Sequence, residues 1–226
     1  MSLVLTRFTQ TAFYALAAAG FSLAAASLFE VYRFVKWVET SPSRERQNLL
    51  RLRQLADAEE LSIALISLVG VLHIALLISS IVWLYKARKA ADRFGGLGTK
   101  WSPGWAIGGW FIPLGFVVIP KLVFNEVERL SNPELGPAPI TSGWTGVRTA
   151  ARGWIYWIGL VVGSVTIRGG IVMRNSAGGE SFVFSISAGR EYEAGIYVVA
   201  AGSAVLAVAC IAGAMTLGML HRQLNR

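Results

Sequence analysis

Apolar residues gather in long uncharged runs along this chain, parted by short and densely charged segments, instead of recurring every three or four positions as in a soluble amphipathic helix. A helix of roughly 20 apolar residues crosses the roughly 30 Å hydrocarbon core of a bilayer. Four runs meet that length, and spans are expected at about 11–32, 61–85, 154–173 and 194–220. The plainest is Leu61 to Tyr85, interrupted only by serines and by His73 near its middle. It closes on Trp83 and Tyr85, residue types that suit a headgroup interface. The last, Ala194 to Leu220, is twenty-seven uncharged residues rich in alanine and glycine. The first follows Arg7, and a cleaved signal sequence is a competing reading of it. Its eighteen uncharged residues from Ala12 to Phe29 exceed the usual apolar core of such a sequence, and the aromatic and basic flank that follows suits a helix anchor.

A fifth apolar stretch, Trp101 to Pro133, does not read as a plain span. Gly104 to Ile119 is sixteen residues without a charge, about 24 Å as helix, and Pro113 and Pro120 interrupt the stretch. A re-entrant or half-buried segment over 102–120 is expected, followed by a surface-lying amphipathic helix over 121–131. Five spans are the alternative. The fold class is therefore all-α: a polytopic membrane helical bundle of four transmembrane helices plus a proline-broken re-entrant segment, taken as one domain over 1–226.

Between the runs, leucines at 49, 50, 52 and 55 among alternating charges predict that the second helix extends out of the bilayer. Gly95, Gly96 and Gly98 lack both the spacing of a phosphate-binding loop and a preceding strand, so they predict a turn. Ser181 to Ser187 shows a short strand-like alternation. Small residues recur four apart at Gly20 and Ala24 and at Gly159 and Gly163, a spacing that favours close helix contact.

Composition sharpens this picture. With 54% hydrophobic residues among 226, the chain is too apolar for an ordinary soluble domain. Its net charge of +8 comes mostly from Lys and Arg beside the apolar runs, a placement that fits lipid headgroups and not nucleic acid. Lys86, Arg88, Lys89, Arg93 and Lys100 follow the second span closely. This cluster is expected in the cytoplasm, with the N-terminus on the same side. One cysteine and two histidines leave no disulfide and no multi-histidine metal site. No paired carboxylates on a span, activated nucleophile or nucleotide fingerprint is found, so no catalytic, cofactor or metal residues are assigned.

An ionisable group within a span costs roughly 2.5–3.5 kcal/mol on insertion scales and needs a reason. Three candidates stand out: Glu30, His73 and Arg168. Glu30 ends the first span and Arg168 lies in the outer part of the third, so an ion pair between them is one expectation, beside separate snorkelling of each to the headgroups. His73 can be a satisfied neutral imidazole or a proton or ligand site. Trp101, Trp105 and Trp110 are read as interfacial anchors of the broken segment.

The run from the second helix to Pro133 resembles the bacterial integral-membrane family known as domain of unknown function 4328. The resemblance rests on Ala56-Asp57-Ala58, on Trp83-Leu84-Tyr85 followed by basic residues, on Ser102-Pro103-Gly104-Trp105-Ala106, on Gly109-Trp110-Phe111-Ile112-Pro113, and on Pro120, Glu126 and Ser131. It is strongest over 50–135. The chain departs from the family pattern at Phe116, usually asparagine, and at Glu128, usually tryptophan. The resemblance implies membrane architecture and carries no activity. Beside the lipid bilayer, the expected partner is another membrane protein or a second copy of the chain. The expected role is that of an accessory, scaffold or assembly partner of a membrane complex, with a small channel or transporter as the alternative.

Overall fold

A computed structural model describes residues 3–40, 46–94, 100–113, 115–131, 151–177 and 186–225. The glycine cluster at 95–98 and most of the alternating stretch at 181–187 lie outside these residues, while Ile186 and Ser187 open a helix. Every regular element among the described residues is helical: α1 (Leu3–Thr40), α2 (Arg46–Ala91), α3 (Trp105–Gly108), α4 (Gly115–Ser131), α5 (Ala151–Ala177) and α6 (Ile186–Leu224), with a short 3₁₀ turn at Asp92–Phe94. Four of them contain stretches long and apolar enough to cross a membrane: Leu3–Arg33, Glu60–Ala91, Gly153–Ser176 and Arg190–Leu224. At 46 residues, or about 69 Å, α2 far exceeds a bilayer core, as the charged leucine-bearing segment before it predicts.

Several hydroxyls in these spans are satisfied within their own helices. Thr9 donates to the Leu5 carbonyl, Ser164 to Leu160, Ser203 to Val199 and Thr216 to Ala212, at 2.6–2.9 Å. A serine or threonine in an apolar helix is cheap when it back-bonds one turn earlier.

The chain divides into two compact units, one of residues 1–15, 73–158 and 209–226, the other of 16–72 and 159–208. In the second, α5 meets α6 along a glycine seam. A Cβ on Gly170 would lie 2.7 Å from the Gly195 carbonyl, one on Gly195 2.7 Å from the Arg174 amide, and one on Gly163 2.9 Å from the Gly202 carbonyl. Backbone meets backbone there, and no side chain fits between. Gly20 of α1 similarly faces the Ser203 carbonyl of α6, with 3.0 Å to an added Cβ. With lipid on the outside no hydrophobic drive separates helix from solvent, so this close van der Waals contact is what holds the helices together.

In the first unit, the proline-broken segment forms a hairpin. The four-residue α3 ends at the turn from Gly109, and α4 folds back so that an added Cβ on Gly109 would lie 2.5 Å from Ile119 Cγ2. Neither arm supplies a fifth span: α3 has 4 residues and α4 has 17, about 26 Å. Two expectations fail here. Pro120 lies inside α4 without ending it. The loss of its amide leaves one intrahelical bond unmade, while the Val117 carbonyl in the same turn accepts a 2.6 Å bond from the Trp157 indole of α5. Nor is 121–131 surface-lying, because Lys121, Val123, Phe124, Glu126, Val127, Glu128 and Ser131 are all buried. Its charged residues were expected to face solvent, but they are drawn into contacts with α2 and α5.

Candidate functional site

Glu30 is the polar centre of the second unit. Its side chain is 2% exposed in the last turns of the first candidate span, and its two oxygens are shared among three other helices. Ser62 of α2 donates to Oε2 at 2.6 Å and Tyr192 of α6 donates to Oε1 at 2.7 Å. Arg174 of α5 places Nη2 3.5 Å from Oε1, and its guanidinium lies over the Tyr192 ring at 5.6 Å. One carboxylate thus joins all four spanning helices. Its partners stand at corresponding ends of their candidate spans, Ser62 and Tyr192 near starts, Glu30 and Arg174 near ends, as helices of alternating direction require.

The expected pairing of Glu30 with Arg168 does not form. Arg168 is exposed, and the counter-ion is Arg174. The reason is rotational. At about 100° per residue, Arg174 lies within about 40° of Gly163 and Gly170 on the α5 surface, whereas Arg168 is about 140° away from Gly163. The seam draws that glycine face onto α6, and the arginine one turn beyond Gly170 is carried to Tyr192 and Glu30. The glycine register was the sequence signal that selects Arg174.

A second buried carboxylate organises the first unit. Glu126 of α4, 5% exposed, accepts from the backbone amides of Lys100 at 2.8 Å and Trp101 at 3.1 Å. Arg88 of α2, 1% exposed, sits 3.6 Å from Glu126, donates to the Trp101 carbonyl at 2.8 Å and pairs with Asp92. Burial pushes the Glu126 carboxyl above its ordinary value, opposed by the two amides and by Arg88. Arg88 and Glu126 together fix where the chain enters Ser102-Pro103-Gly104-Trp105, the motif at the head of the hairpin.

The other motif residues surround this clamp. Trp83 is 2% exposed and donates to the Thr6 hydroxyl at 3.3 Å, so its indole packs inward. Thr6 also meets His221 Nδ1 at 3.0 Å. Trp105 stacks edge-on against Trp101 at 5.5 Å and keeps 39% of its surface exposed, while Trp110 stacks on Trp157 at 5.7 Å. Pro103 is half-buried, Gly104 and Pro113 are exposed, and Gly109 and Pro120 are buried. His73 is half-buried in α2.

Lys121 was missed as a candidate. It is 3% exposed, and its ammonium lies over the rings of Phe124 at 5.1 Å and Trp154 at 4.9 Å with no hydrogen-bond acceptor. Burial lowers its pKa to about 8, against the opposing pull of Glu128. Gly153 makes the space, since an added Cβ would lie 3.2 Å from Nζ.

Among the described residues no group of three or more His, Cys, Asp or Glu could hold a metal ion. No match emerges among the curated proteins or the solved structures. A family model, by contrast, matches residues 46–216, well over half of the chain and beyond the stretch where the motif resemblance is strongest. With α2, the hairpin, α5 and most of α6 inside that match, the chain belongs to the family described as domain of unknown function 4328.

Proposed function

We propose that this protein is a static multi-pass scaffold of the bacterial inner membrane that serves as an accessory or assembly partner of a membrane complex. The observation that carries this reading is the engagement of Glu30 by Ser62, Tyr192 and Arg174. A charged group inside a span is a candidate transport site when it can exchange its protein partners for a substrate. Both oxygens of this carboxylate are occupied by neighbouring helices, and the glycine seam beside it gives α5 and α6 little room to rock.

The hairpin of α3 and α4 enters and leaves the bilayer from one face in this reading, since it supplies no helix of spanning length. The exposed Lys86, Lys89, Arg93 and Lys100 favour placing that face in the cytoplasm, together with the N-terminus.

Gentle extraction of the tagged protein followed by native mass spectrometry tests the role. A stoichiometric membrane-protein partner is the expected result. A lone chain that conducts ions or solutes in liposomes, with flux abolished by changing His73 or Arg168, would replace this reading with a channel or transporter.

A further inference from the structure

A small cavity of about 20 Å³ lies within the first unit, where the hairpin meets α2, α5 and α6. Its walls are mainly aromatic, Trp83, Trp110, Phe124, Tyr156 and Trp157, and Pro120 of α4 adds to them. Two buried polar atoms in that lining make no hydrogen bond of full geometry, Trp110 Nε1 and Ser80 Oγ, and of the two only Ser80 has a neighbouring partner, the Tyr156 hydroxyl. An orphaned buried donor costs about 1–3 kcal/mol, and such groups are rare enough that the Trp110 indole, facing a cavity it shares with the Ser80 hydroxyl, calls for an explanation.

The chemistry of these atoms narrows what fits. An indole N–H can only donate, so its partner must be an acceptor, which excludes an ammonium or any donor-only group. The serine hydroxyl can turn to donate or accept. No charged side chain lines the cavity, so nothing there offsets the desolvation of an ion. The volume exceeds the roughly 10–15 Å³ that one water needs and admits no more than one such oxygen group.

We propose that this cavity binds one neutral oxygen acceptor of about the size of a water molecule, held between the Trp110 indole N–H and the Ser80 hydroxyl. The bound oxygen ties the hairpin, through Trp110, to the second span, through Ser80. Its source is a water or the ester carbonyl of a lipid whose tip enters beside Trp110, and the two present the same acceptor.

Proton-detected spectroscopy of the full chain in lipid nanodiscs tests this, with the Trp110 indole signal assigned by Trp110→Phe. The expected result is a cross-peak from the indole proton to a long-lived water or to lipid glycerol protons, which also tells the two sources apart. Ser80→Val fills the site and should remove that cross-peak and shift the indole proton upfield. Should Trp110→Phe fail to fold, Ser80→Val together with Ser80→Ala identifies the signal by its shift. An indole proton with no cross-peak to water or lipid, unmoved by either serine substitution, would overturn the proposal.

Discussion

Glu30 and Glu126 are two carboxylates of almost equal burial, 2% and 5% exposed, that do different work. Glu30 is bonded by side chains from three other helices, far away in sequence. Glu126 is bonded by two successive backbone amides about 25 residues earlier, with Arg88 beside it. The first holds spans against one another; the second holds one turn of chain in shape. A buried charge therefore takes its meaning from whether its partners are side chains on other elements or the backbone of a single loop.

The largest expected effect separates the two directly. Glu30→Leu leaves Arg174 buried beside an apolar group, and breaking such a pair typically costs about 3–5 kcal/mol. Unfolding in mild detergent, followed by tryptophan fluorescence, should show a loss of that size. Next comes the seam beside it. Gly195→Ala drives a methyl to 2.7 Å from the Arg174 amide and should cost about 1–3 kcal/mol by forcing the backbones apart. Glu126→Ala should cost about 2 kcal/mol, the worth of hydrogen bonds to a charged group. Hydrogen exchange sharpens the contrast: the Lys100 and Trp101 amides should lose protection in Glu126→Ala and keep it in Gly195→Ala.

A smaller effect is set by pH. Between about 8, its folded value, and 10.5, its ordinary value, the unfolded chain holds a proton on Lys121 that the folded chain has released. Stability should therefore be lowest below pH 8, rise with pH through that window and level off above it. The gain is on the order of 1 kcal/mol, and it should be absent from Lys121→Met in a parallel thermal series. Smallest of all, Arg168→Leu should stay within about 0.5 kcal/mol of the parent, because Arg168 is exposed and outside the Glu30 cluster.

The four spans were legible because apolar runs of helical spanning length with at most one or two charges have few other uses. The break in the fifth stretch was legible from Pro113, but that Pro120 would not break the helix as well was not. Pro120 stays within α4, where the Trp157 indole reaches the adjacent Val117 carbonyl, a contact that no local pattern encodes. Glu30 stood out as an ion in a span, yet depth along the helix pointed to the wrong arginine. Rotation about α5 chose Arg174, and the chosen face is the one bearing Gly163 and Gly170, on which the four-residue pair of Gly159 and Gly163 also lies. Glu126 and Glu128 looked like the polar side of an amphipathic helix, and Lys121 like the charge that closes the apolar run before it. Only the tertiary contacts of that helix with α2, α5 and the incoming loop reveal their burial.

A double-mutant cycle on Glu30→Gln and Arg174→Leu, read as unfolding free energy of the full chain in detergent, tests the four-helix cluster most directly. The two single changes should each destabilise, and the double change should recover about 1–3 kcal/mol of their sum. Strict additivity with Arg174, or a coupling that appears instead in the cycle with Arg168→Leu, would contradict the assignment of Glu30 as the centre that binds the spans together.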